Sequence, residues 1–81
     1  MMHEELIAAI GEWLPVMHGA VDRETPLISP GHIDSMALLR LLMWIELKAG
    51  RSIDVTAIEI AREWDSVDSI VSFIERVRGD P

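Results

Sequence analysis

Ile33-Asp34-Ser35-Met36-Ala37-Leu38-Leu39-Arg40-Leu41-Leu42-Met43-Trp44-Ile45-Glu46-Leu47-Lys48-Ala49-Gly50 holds the longest apolar run of the chain, Met36 to Leu47, and both of its ends are marked. A Pro30-Gly31 turn and then Asp34-Ser35 precede the run, and Asp and Ser are favoured helix N-caps. Gly50 follows where a left-handed residue closes a helix. These signals predict a helix that begins at Asp34 or Ser35 and stops at Gly50. The Ser35 hydroxyl then lies at the positive end of the helix. Unpaired N–H groups and the helix dipole favour an anion there, a phosphate for example. Plain capping by Asp34 or Ser35 accounts for the same pair in any helical protein.

Working outward, helical spacing predominates and period-two alternation is lacking. A first helix is predicted from His3 to Leu14, with Leu6, Ile7, Ile10, Trp13 and Leu14 on one face and Pro15 as its stop. Val16 to Ile33 is a long connection rich in turn formers (Gly19, Asp22, Thr25-Pro26, Ser29-Pro30-Gly31). Loops of this length are usually functional or pinned by their own side chains, here Val21, Leu27, Ile28 and Ile33. Arg51-Ser52-Ile53-Asp54 connects to a short third helix over Val55–Ala61. Trp64-Asp65-Ser66 opens the last helix, with Asp65 as N-cap, Asp68 in the first turn, Gly79 past the end, and Ile70, Phe73, Ile74 and Val77 as the buried stripe. The fold class is all-α: a bundle of three longer helices and one short one.

Composition narrows the functions. Eighty-one residues, 49% of them hydrophobic, make one domain over 1–81 with a core of its own. Cysteine is absent, which excludes disulfides, a thiolate nucleophile and Cys-ligated metal. The net charge of −7 argues against nucleic acid or an anionic membrane, and suits a basic protein partner or simple solubility. The start, Met1-Met2-His3-Glu4-Glu5, is acidic and lacks the basic region of a secretion signal. Arg40 and Glu46 interrupt the apolar run, so no membrane insertion is expected and the expected location is cytoplasmic. His3, His18 and His32 have no i, i+4 partners, and no metal site is expected. Nor is there a nucleophile with a base or a phosphate loop, so an independent enzyme is the weakest expectation.

The ordered set of a first helix, Thr25-Pro26-Leu27, Gly31-x-Ile33-Asp34-Ser35-Met36, Leu38, Leu41 and Leu42, Ile53, and Glu63-Trp64-Asp65-Ser66 spans nearly the whole chain. It resembles the acyl and peptidyl carrier proteins, most nearly the stand-alone D-alanyl carriers. The resemblance implies a four-helix carrier fold and a 4'-phosphopantetheine arm, taken from coenzyme A by a phosphopantetheinyl transferase and attached to Ser35. Cargo would ride as a thioester on the arm's thiol, loaded by an adenylating or acyl-loading enzyme and passed to an acceptor or condensing enzyme. Such a carrier would act as a monomeric phosphoprotein in aminoacyl transfer or in nonribosomal peptide or polyketide biosynthesis, with no turnover of its own. Asp34 would cap the helix, meet the transferase and its metal ion, or both. His32 has little claim as a base beside a turn. Two further Asp-Ser pairs, Asp65-Ser66 and Asp68-Ser69, have a sufficient explanation as capping and first-turn residues.

One departure from fatty-acid carriers is plain. Their second helix is acidic outside, whereas here Glu46 is its only acid and Arg40, Trp44 and Lys48 share a face at spacing i, i+4, i+8. On this wheel Leu38, Leu42 and Ile45 point into the core. The cation stems either cover Trp44 or join it in docking a partner. Met36, Arg40 and Trp44 are the candidate partner-binding residues. Trp13 reads as core, and Trp64 as a hydrophobic staple against the last helix. A helical interaction module without a prosthetic group is the alternative from another class.

Overall fold

The computed structural model describes residues 2–14, 19–28 and 33–79. Pro15, His18, His32 and the Pro30-Gly31 turn, all used above, lie outside them. The described residues form α1 (Met2–Trp13), α2 (Ser35–Ala49), a 3-10 turn (Val55–Ala57), α3 (Ile60–Glu63) and α4 (Val67–Arg78), with no strand among them. The result is a small helical bundle in which α4 packs against each of the other three helices.

The ends of α2 follow from its sequence. The Asp34 side chain accepts a hydrogen bond from the Ala37 N–H at 2.8 Å. At the other end Gly50 takes φ 73° and its N–H donates to the Glu46 carbonyl. A Cβ would strain that backbone, so glycine belongs there.

The core draws on every part of the chain. Leu6 and Ile10 of α1, Leu41 and Ile45 of α2, Val67, Ile70 and Ile74 of α4, Leu27 of the long connection and Trp64 are fully buried. The buried stripe of α2 is Ala37, Leu41, Ile45 and Ala49. This corrects the wheel expected from sequence: Ile45 is buried, but Leu38 and Leu42 are only half-buried on the flank. An apolar side chain occupies almost every position of α2, so periodicity alone could not select the face that meets α4.

The long connection is pinned as expected, with Leu27 buried and Val21, Ile28 and Ile33 half-buried against the core. Its strongest tether is unexpected. The Asp65 carboxylate accepts the N–H groups of Leu27 (3.2 Å) and Ile28 (2.7 Å), and the Asp65 carbonyl accepts Leu27 N–H at 2.6 Å. Asp65 is therefore not the N-cap of α4. That role falls to Ser66, whose hydroxyl accepts the Ser69 N–H at 3.1 Å. Two adjacent residues both suited to capping are separated by a contact made 37 residues away.

The short third helix also differs from expectation. Instead of one helix over Val55–Ala61, Asp54 caps the 3-10 turn through Thr56 N–H, Ile58 is extended, and α3 follows. Val55, Thr56 and Ile58 are β-branched and weaken a continuous helix there.

Candidate functional site

Ser35 is the first residue of α2 and is exposed. Asp34 Oδ1 is committed to Ala37 N–H and the Asp34 carbonyl to Leu38 N–H, both at 2.8 Å. Asp34 thus carries the cap, and the Ser35 hydroxyl is not spent on it. The remaining N–H groups of the first turn face out of the helix end, which favours an anion next to that hydroxyl.

Ser35 also lines an apolar cavity of about 230 Å³ with Leu38, Leu39, Leu42, Val55, Ile60 and Trp64. α2 supplies one wall; the 3-10 turn, α3 and Trp64 supply the other. Trp64 is fully buried and meets Phe73 edge-on, with ring centroids 5.6 Å apart. Its Nε1 has no hydrogen-bond partner among the described residues. A buried donor left unpaired costs about 1–3 kcal/mol. The staple reading of Trp64 missed this. With Ser66 as cap, Trp64 stands outside the staple position and packs on the second turn of α4 instead.

The candidate partner-binding residues lie on or beside the exposed side of α2. Met36 is 63% exposed, and Leu39, Met43 and Leu47 continue the stripe at 51%, 62% and 78%. Sequence spacing missed this apolar stripe, because the face shared by Arg40, Trp44 and Lys48 drew attention to its polar ends. Trp44 is half-buried, with Lys48 Nζ 5.4 Å from its ring centroid and 2.7 Å from Glu5 Oε2. Lys48 therefore covers Trp44, as the snorkelling reading has it, and holds the Glu5 carboxyl below its ordinary range. Arg40 stays exposed. Trp13, expected in the core, is half-buried and lines a second groove with Arg40, Met43, Trp44 and Leu47.

Away from α2, His3 Nε2 lies 3.3 Å from Asp68 Oδ1 and 3.1 Å from an Arg23 guanidinium nitrogen, and Arg23 Nε donates to Asp68 at 2.9 Å. This cluster ties α1, the connection and α4 together. The described residues contain no grouping of His, Asp and Glu suited to a metal ion, and no helix among them is long and apolar enough to cross a membrane. What the site offers chemically is an accessible alcohol at a helix N-terminus, beside an apolar cavity. No protein-family model, curated protein or solved structure matches this chain.

Proposed function

We propose that the chain is a cytoplasmic carrier protein whose Ser35 is the attachment point of a 4'-phosphopantetheine arm. The observation that carries this reading is the division of labour at the head of α2: Asp34 caps the helix and leaves an exposed Ser35 hydroxyl free to react. The residues present fit the group. The helix end favours a phosphodiester, and the adjoining cavity suits an apolar segment of the arm. In attachment the Ser35 oxygen bonds to phosphorus, the pyrophosphate linkage of coenzyme A breaks, and the adenosine bisphosphate half departs. The transferase takes up the hydroxyl proton. When attached, the group supplies a thiol that holds an aminoacyl or acyl cargo as a thioester, which a cysteine-free chain otherwise lacks. The chain's own part is tethering, which raises the effective concentration of cargo at each partner enzyme.

Incubation with coenzyme A and a broad-specificity transferase, followed by intact mass, tests the reading. The wild type should gain one phosphopantetheine and Ser35→Ala none. The exposed stripe of Met36, Leu39, Met43 and Leu47 favours a second reading, an interaction module without a prosthetic group. An unchanged mass in the wild type selects it.

A further inference from the structure

α1 and α2 both pack on α4, and beside the end of α1 the outer face of α2 borders an open groove of about 400 Å³. Its lining is Trp13, Arg40, Met43, Trp44 and Leu47, four apolar side chains and one cation with no carboxylate. Arg40 makes no ion pair or hydrogen bond among the described residues, unlike Arg23, Lys48 and Arg76. On a chain of net charge −7, this surface has the opposite local sign. We infer that the groove docks an amphipathic helix of a partner protein, one that sets a carboxylate beside large apolar side chains.

Each part of that description comes from the groove. The groove follows α2 from Arg40 to Leu47 for about 10 Å, or two helical turns, with the exposed Met36 and Leu39 farther along the helix, and a helix laid in such a groove is a recurring recognition mode. Met43 at its centre is flexible and polarisable, suited to side chains of differing shape. Trp and Arg are the residue types that most often dominate binding energy. A carboxylate completes Arg40. A second copy of this chain does not: it brings another −7 and another Arg40, and the exposed face of α2 holds no acid to receive it. Glu46, the only acid of α2, is half-buried and accepts the Ile53 N–H at 2.8 Å. One helix face against one groove also buries little area, which fits a transient partner more than an obligate dimer.

Two helix-forming peptides of about 15 residues, free of Trp and identical except for Glu or Lys flanking a Leu stripe, test the inference. Binding to the full chain is followed by tryptophan fluorescence and by the indole NMR signals of Trp13 and Trp44. The bulk charge of the protein attracts the Lys peptide, so preference for the Glu peptide is a stringent outcome. The Glu peptide should bind saturably and at least tenfold more tightly than the Lys peptide. Arg40→Glu should reverse that order, and Leu47→Ala, at a site too exposed to threaten folding, should weaken the Glu peptide about tenfold. Equal binding of the two peptides, a preference that survives Arg40→Glu, or no saturable binding of the Glu peptide overturns the inference. So does sedimentation showing self-association that Leu47→Asp abolishes. The surface is read independently of Ser35, so Ser35→Ala should bind the Glu peptide like the wild type. Loss of loading and loss of docking are then separate results.

Discussion

Asp34 and Ser35 stand next to each other, and either has the chemistry to cap α2. The hydrogen bond from Ala37 N–H assigns the cap to Asp34. Asp34→Ala should therefore lose about 1 kcal/mol, the usual cost of a missing cap. In a domain of this size that lowers the thermal midpoint by roughly 4–8 °C. Ser35→Ala should leave the midpoint almost unchanged, as exposed substitutions away from special features do. Calorimetry of the two variants decides this, and a larger loss for Ser35→Ala would return the cap to Ser35. Trp64 poses a similar question. Trp64→Phe keeps an aromatic ring against Phe73 and removes a buried, unpaired donor worth about 1–3 kcal/mol. That relief offsets part of the lost volume, so urea unfolding should show a much smaller loss than the ~3–5 kcal/mol expected of Trp64→Ala. Equal losses would mean that the indole N–H is satisfied after all.

Three successive residues of α2 sample its three environments. Leu41 is fully buried, Leu42 is half-buried on the cavity wall, and Met43 is mostly exposed. Leu41→Ala should cost about 2–5 kcal/mol, Leu42→Ala distinctly less, and Met43→Ala at most about 0.5 kcal/mol. Chemical denaturation of the three variants checks the order. A loss at Leu42 matching that at Leu41 would restore the rotation of the helix that its sequence suggests. The boundaries of α2 were legible because caps act locally: Asp34 and Gly50 work through backbone groups within a turn of themselves. Its rotation was not, because Leu38, Leu39, Leu41, Leu42, Met43 and Leu47 offer apolar surface in nearly every direction, and only contact with α4 chooses among them.

Across the whole molecule, Asp65 joins the long connection to the segment leading into α4. Asp65→Ala strands the Ile28 N–H, while Leu27 N–H keeps its bond to the carbonyl of residue 65; the loss should cost about 1.5–3 kcal/mol, since hydrogen bonds to charged groups are the stronger kind. Ser66→Ala, which removes only the cap, should cost about 1 kcal/mol. Urea midpoints of the pair give the ranking, and the reverse order would show that the Asp65 carboxylate does not hold the connection. Acid should act on several elements together. The Lys48 ammonium lowers the pKa of Glu5; the Glu24 N–H and the Thr25 hydroxyl lower that of Asp22; and the Thr56 hydroxyl and N–H lower that of Asp54. Each carboxylate binds its proton less readily folded than unfolded, so its contribution is complete above the ordinary values of 4.5 for Glu and 3.8 for Asp. It fades as pH falls through and below them. Relief of the −7 charge acts in the other direction on the way down from neutrality. The urea midpoint should thus change little between about pH 7 and 5, then fall below about pH 4. A midpoint that holds steady below pH 4 would show that these bonds contribute little to stability.

The sequence by itself determined the all-helical class, the three longer helices and the place of the serine at the head of the second. Those features rest on short-range physics: capping side chains, left-handed glycines and a spacing of 3.6 residues all act within a few positions. Only the tertiary structure decided which side of α2 is buried, that Asp65 holds the connection while Ser66 caps α4, and that Trp64 is fully buried with its N–H unpaired. Each of these depends on groups far apart in the chain competing for one hydrogen bond or one patch of apolar surface. Such a competition is settled by the packing of α4 against its neighbours, because no local preference separates the contenders.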